Sequence, residues 1–231
     1  MTLESMIYNE KFGDFNTAKN NLLLFIDKTP HMISGYILMS RFIFKEAKKH
    51  RKDPSKYKEL LDQILFYVGE GLRISGKNQN LLKLKYYVLK EIEPDNVEQI
   101  YELLIERYET FDEKCSELKL LFDLGVISFE RGEYNKSKTF FKELNEISYD
   151  HPYTSGIKRV AKDSNKEDRK FKGYISKFIS KREAYVLSDE IGYPISFNPL
   201  AQKREVYSRQ DVEFNIAFNY RGIFAIDLRP V

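Results

Sequence analysis

The apolar residues of this chain change their spacing part-way along it, and that change limits the fold more than any other feature. Up to about residue 150 they recur every three or four positions. Leu60, Leu61, Ile64, Leu65, Val68 and Leu72 make one stripe, and Val97, Ile100, Tyr101, Leu104 and Tyr108 make another. A helix of 3.6 residues per turn gathers such positions on one face, whereas a strand would scatter them. From about residue 171 the spacing becomes two. Val212, Phe214, Ile216 and Phe218 alternate with Glu213, Asn215 and Ala217, the pattern of a half-buried strand. The spacing therefore predicts a multidomain α plus β protein, helical first and all-β last.

The stripes and their punctuation predict helices over 3–11, 15–28, 31–49, 55–75, 79–92, 96–110, 113–130 and 134–148, four antiparallel pairs. Asp53 followed by Pro54 offers an N-cap and a proline in the first turn, and Asp95 with Glu98 has capping-box spacing. Pro30, Pro54 and Pro94 fall between predicted helices. His151-Pro152 ends the helical part. Residues 153–170 read as one further, charge-rich helix, so that 151–170 forms a basic linker. Across Lys158 to Lys172, Lys158, Arg159, Lys162, Lys166, Arg169, Lys170 and Lys172 outnumber Asp163, Glu167 and Asp168. Five strands follow, near 172–179, 183–188, 193–198, 211–218 and 222–229, with turn residues at Ser188 to Gly192, Asn198-Pro199 and Asn219 to Gly222. Strands this short favour a closed barrel, because an open sheet would leave its edges bare. The expected division is 1–150, 151–170 and 171–231.

Two stretches repeat one pattern. Lys11-Phe12-Gly13-Asp14-Phe15 with Ala18 closes at Pro30; Glu130-Arg131-Gly132-Glu133-Tyr134 with Ser137 and Phe141 follows Leu124-Gly125. Glycine at the turn accepts backbone angles that other residues avoid, and the small residue lets paired helices approach. The pattern resembles the tetratricopeptide repeat (TPR). The resemblance implies a TPR-like α-solenoid of about four helical hairpins whose concave surface holds a protein or peptide.

The last sixty or so residues are similar to a cold-shock domain, an OB-type barrel, with an S1-type barrel nearly as good a description. Gly173-Tyr174-Ile175-Ser176-Lys177-Phe178 resembles its opening strand. Lys181 to Val186, then Asp189 and Gly192, stands where the second strand and its turn belong, and Ile195-Ser196-Phe197 where the third does. Asp211 to Ile216, then Arg221-Gly222 and Ala225, resembles the closing hairpin. The resemblance implies binding of single-stranded RNA or DNA, RNA preferred. The chain departs from the family where binding belongs. It has no tryptophan; Arg182, Glu183 and Ala184 replace most of the second-strand motif; and Ser196 and Asn198 stand where an aromatic and a histidine are usual.

Base stacking contributes about 1–3 kcal/mol per base and tolerates any sequence. The candidate nucleic-acid residues are Phe178, Tyr185 and Phe197 as rings and Lys177, Lys181, Arg182, Lys203 and Arg204 as cations. The competing expectation is that Phe178 and Phe197 fill the interior of a small barrel. The run Lys45, Lys48, Lys49, Arg51, Lys52, Lys56 and Lys58 reads either as a phosphate-tracking patch or as cations at a helix C-terminus.

Other function classes find little purchase. A net charge of +3 on 231 residues, 32% of them charged, excludes a polycationic coat. Cys115 is the sole cysteine, and Glu113 and Glu117 nearby would raise its pKa rather than activate it. His31, His50 and His151 lie far apart, and Gly69-Glu70-Gly71 sits in a helical pattern without the third glycine of a phosphate loop. No enzyme, cofactor or metal site is expected. Apolar runs such as Leu22 to Ile26 are too short to span a bilayer, and the N-terminal residues lack signal-peptide order, so a soluble cytoplasmic protein without membrane contact is expected. The reading that follows is a non-enzymatic adaptor. Its barrel binds single-stranded nucleic acid and its repeats bind a protein. The alternative is a protein-interaction scaffold whose barrel has lost nucleic-acid binding, with a subunit of a bacterial defence or toxin-linked complex as a third reading by analogy.

Overall fold

The computed structural model describes residues 15–112, 115–148, 156–163 and 165–231. The helix expected over 3–11 and the Gly13 half of the repeat lie outside them. Among the described residues there are seven helices: α1 (Phe15–Lys28), α2 (Ile33–Lys49), α3 (Pro54–Ser75), α4 (Gln79–Ile92), α5 (Val97–Tyr108), α6 (Leu118–Glu130) and α7 (Tyr134–Ser148). Six strands follow: β1 (Arg159–Val160), β2 (Lys170–Ser180), β3 (Glu183–Leu187), β4 (Ile195–Phe197), β5 (Asp211–Asn219) and β6 (Gly222–Pro230), with a 3-10 turn at Pro199–Ala201. The chain divides into two compact units, with the boundary between residues 113 and 114.

In the first unit each helix packs on its neighbour in sequence. The stripe Leu60, Leu61, Ile64 and Val68 is buried against Met39, Ile43 and Ala47 of α2 and Leu81 and Val88 of α4. Gly71 is a point of close helix approach, since a Cβ there would lie 2.6 Å from Leu81 Cδ1 and 3.1 Å from Tyr36 Cβ. The expected cap of α3 is present, with Asp53 Oδ1 accepting from Lys56 N at 3.1 Å. The capping box expected at Asp95 and Glu98 is displaced by one residue. Asn96 is the N-cap of α5 and its side chain accepts from Gln99 N at 3.3 Å, since Asn-x-x-Gln offers the same spacing one step later. Asn78 caps α4 in the same way.

The second unit joins the α6–α7 hairpin to the β part. Here the repeat pattern does what it promised. Gly132 takes φ +78° at the turn. Ser137 is fully buried, and its hydroxyl donates to the Gly125 carbonyl at 2.7 Å. Gly125 faces the Phe141 ring so closely that a Cβ would fall 2.7 Å from it.

Strands β2 to β6 form a closed five-stranded barrel in the order β5-β2-β3-β4-β6, with β6 returning to β5. All pairs are antiparallel except β4 with β6, which run parallel through Ser196 and Phe224. Val212, Phe214, Ile216 and Phe218 fill its interior, as their alternation predicts, together with Phe171, Ile175, Ala184, Val186, Ile195 and Phe197. Phe129 of α6 meets Phe171 at 5.7 Å and Phe218 at 5.2 Å, and Phe141 of α7 stacks on Phe218 at 5.7 Å. The hairpin thus closes the barrel end formed by the start of β2 and the finish of β5. Arg159 with Glu130 at 2.9 Å, and Arg169 with both Glu190 and Tyr134, add polar ties between helices and strands.

The helix expected over 153–170 is not formed by its described residues, which carry β1 and an isolated bridge between Lys162 and Asp168. The reason lies in β5. Its pairing with β2 ends at Asn215, so Ile216 to Asn219 would present an open edge. β1 covers it, pairing Arg159 with Phe218 and Val160 with Ala217, and backbone pairing of a bare edge outweighs a weak helical pattern.

Candidate functional site

The outer wall of the barrel follows from the register. Residues directly opposite on neighbouring strands point to the same face. Ile175 opposite Val186, and Ala184 opposite Phe197, are buried interior pairs. The alternate set faces outward. Lys177 lies opposite Tyr185, Tyr185 opposite Ser196, and Ser196 opposite Phe224. These four residues form one row across β2, β3, β4 and β6. A second outward pair, Tyr174 with Leu187, lies beside it, so Tyr174 and Tyr185 are diagonal neighbours about 7–8 Å apart. Tyr174 is 40% exposed, while Tyr185 and Phe224 are half-buried. The wall presents three aromatic side chains and one lysine to solvent.

The eight residues singled out in the sequence do not lie together. Lys177 and Tyr185 are cross-strand neighbours in the outward row. Lys181 and Arg182 are exposed at the tip of the β2–β3 hairpin. Phe197 is only 3% exposed and lies inside the barrel, so it offers no ring face to a base; its expected stacking role is corrected to core packing. The cause is register, since Phe197 pairs with Ala184 on the inward face. Phe178 shares that face but sits at the rim, 38% exposed, with its ring edge-on to Phe197 at 6.3 Å. Lys203 and Arg204 are exposed on the loop after the 3-10 turn and line a cleft of about 310 Å³ with Asp227, Leu228 and Arg229. The loop is held there by Gln202 Oε1, which accepts from Leu228 N at 3.0 Å. Phe224 and Tyr174 belong to the wall and were missed. Their alternation is visible in the sequence, but which half of it faces outward is set by the pairing of Tyr174 with Leu187 and of Phe224 with Ser196.

Tyr185 is engaged as well as exposed. Its hydroxyl donates to Glu183 Oε1 at 2.7 Å, and that hydrogen bond raises the phenol pKa above its ordinary value. Its ring face carries no such commitment. Asn198, where the cold-shock pattern has a histidine, caps the 3-10 turn, its Oδ1 accepting from Leu200 N at 3.0 Å.

The two basic runs are largely answered by local partners. In the first, Lys49 pairs with Glu46 at 2.7 Å, Arg51 with Glu91 at 3.1 Å and Lys56 with Glu59 at 2.9 Å, while Lys48 lies over the Phe44 ring. In the second, Arg159, Lys162, Arg169 and Lys170 meet Glu130, Asp168, Glu190 and Glu213. Cys115 is buried ahead of α6 rather than within a helix, and its backbone N–H donates to Glu143. Among the described residues no group of three or more His, Cys, Asp and Glu is placed to hold a metal ion, and no helix is long and apolar enough to cross a membrane.

No protein-family model matches the chain, and no curated protein matches it in sequence. Among solved structures it is similar to TTC0263, a thermophilic TPR protein in Thermus thermophilus. The identity is 16% and the TM-score 0.46, over 64% of this chain and 71% of that one. It is similar also to the MamA protein, at 10% identity and a TM-score of 0.46, over 62% and 69%. At these values the likeness does not extend to partners or sites.

Proposed function

We propose that this chain is a non-enzymatic adaptor whose barrel binds single-stranded nucleic acid, RNA preferred, while its helices hold a protein partner. The observation that carries the reading is the outward row Lys177, Tyr185, Ser196 and Phe224, with Tyr174 beside it. Stacked bases need half-exposed rings at neighbouring strand positions and a cation for the backbone, and the row has that make-up. The barrel is read as OB type. Counting β2 as its first strand, the order is 1-2-3-5-4-1 with the third and fifth parallel, and the face of the second and third strands is where OB barrels hold oligonucleotides. The site is accordingly moved from the eight residues expected from sequence to Tyr174, Lys177, Tyr185 and Phe224. Lys181 and Arg182 are retained at the hairpin tip, Phe178 at the rim, and Lys203 and Arg204 as flanking cations. The protein partner for the helical unit rests on the reading of stacked helical hairpins, whose concave surface suits a peptide or protein.

The test is a fluorescence-anisotropy titration of the full chain with a labelled single-stranded oligoribonucleotide at several salt concentrations. Affinity should fall steeply with salt, and Tyr185→Ala or Phe224→Ala should each weaken it by about 1–3 kcal/mol. A flat titration removes nucleic acid from the reading. The second reading, a scaffold whose barrel has lost that activity, is favoured by the interior position of Phe197 and by Glu183 beside Tyr185. It predicts the flat titration.

A further inference from the structure

A groove of about 690 Å³ opens on the outer wall of the barrel, where β2 runs between the end of β3 and the start of β5. Tyr174 stands in it with Leu187 directly opposite on one strand and Asp211 directly opposite on the other. Side chains paired in this way share a face, their Cβ atoms about 4.5–5.5 Å apart. Lys172, two residues before Tyr174 on β2, lines the same groove. Lys172, Tyr174 and Asp211 are all exposed. Among the described residues none of these three side chains has a hydrogen bond, an ion pair or a ring contact. Two other charged groups of the groove are committed, Lys170 to Glu213 and Glu190 to Arg169. Asp189 lines the groove as well, but it lies past the last residue of β3 and is not opposite Tyr174.

We propose that Tyr174 and Asp211 form a subsite that selects guanine from a bound single strand. The inference rests on the reading of the barrel wall as a nucleic-acid face and adds a base preference to it. A ring stacks on any base, so Tyr174 alone discriminates nothing. Selection comes from the Watson–Crick edge that the stacked base turns toward its neighbour. Guanine carries two N–H donors side by side there, N1–H and the N2 amine, which match the two oxygens of one carboxylate in charge-assisted hydrogen bonds. Adenine and cytosine set an acceptor nitrogen beside their amine, and uracil flanks its single N–H with two carbonyls. Each of these would bring an acceptor against the Asp211 carboxylate. The groove lies within the roughly 300–1,000 Å³ of pockets that hold small ligands, which leaves room for a base and its ribose. Lys172 supplies a cation for the adjoining phosphate.

The full chain is titrated at one low salt concentration with labelled oligouridylate strands whose central residue is guanosine, inosine, adenosine or uridine. The guanosine strand should bind about tenfold or more tightly than the adenosine and uridine strands. The inosine strand should fall between, because inosine keeps N1–H and lacks the N2 amine. Asp211→Asn, at an exposed position whose side chain makes no bond, should abolish the preference and leave the uridine strand bound as before. Asp189→Asn, which removes the same charge from the same groove, should retain the preference. Lys172→Ala should weaken all four strands alike. Equal binding of the four strands, a guanosine preference that survives Asp211→Asn, or one that Asp189→Asn abolishes as completely, overturns the subsite and leaves the wall a sequence-tolerant face. Binding of no strand overturns the subsite and the nucleic-acid reading together.

Discussion

Gly125 and Gly69 both lie inside helices, yet alanine should have opposite effects at the two. Glycine in a helix interior costs about 0.5–1 kcal/mol relative to alanine, so replacement is favourable where nothing is in the way. At Gly69 of α3 a Cβ would meet nothing within 4 Å, and Gly69→Ala should stabilise by about that amount. At Gly125 of α6 the same methyl would lie 2.7, 2.9 and 3.0 Å from three atoms of the Phe141 ring. Phe141 cannot swing aside freely, being 4% exposed, stacked on Phe218 and edge-on to Phe122. Overpacking of this kind costs about 1–3 kcal/mol. Net of the propensity gain, Gly125→Ala should destabilise by about 1–2 kcal/mol, a fall in melting temperature of about 2–8 °C for a chain of this size. Chemical and thermal denaturation followed by far-UV circular dichroism gives both values. Near-UV ellipticity should weaken with Gly125→Ala, because Phe218 belongs to the barrel interior. A stabilised Gly125→Ala variant, or one indistinguishable from Gly69→Ala, would refute the close helix approach and the coupling of hairpin to barrel.

Three further outcomes are expected. Gly173→Ala places a Cβ 2.1 Å from the Leu187 carbonyl oxygen, a backbone atom that moves only with its strand; a loss of about 3 kcal/mol or more is expected, read as a lowered denaturation midpoint. Asp53→Ala removes the N-cap of α3 and should cost about 1 kcal/mol in the same assay. Burial and the hydrogen bond to Glu190 push the Tyr134 phenol from 10.0 up to about 12. Because the folded pKa is the higher, this contribution to stability is complete below about pH 10 and is lost as the pH rises toward about 12. Tyrosinate absorbance should show a late-titrating group that Tyr134→Phe abolishes.

Much of the architecture was legible because local patterns and tertiary packing agree. The stripe from Leu60 to Val68 faces a core in the structure, and Val212 to Phe218 alternates as its spacing demands. Gly132 and Ser137 act as the repeat pattern requires. What could not be read locally depends on partners distant in sequence. β1 exists because β5 outruns β2, a fact held in the pairing of Lys170 with Asn215 and absent from residues 156–163 themselves. The site suffered from the same cause. Phe178 and Phe197 look like Tyr185 in sequence, but the bulge after Ile175 turns Phe178 inward and pairing with Ala184 puts Phe197 on the same inward face, while Tyr185 lies outward with Ser196 and Phe224. The basic segments look free until Glu130, Glu190, Glu213 and Glu91 arrive from other elements.

The outward aromatic row as a nucleic-acid face is tested most directly by photocrosslinking. A single-stranded oligonucleotide carrying 4-thiouridine is irradiated with the full chain, and the adducts are mapped by mass spectrometry. Adducts are expected on Tyr185, Phe224 or Tyr174, and they should disappear at high salt. Adducts confined to helices α1–α5, or none above the level obtained with duplex of the same sequence, would contradict it.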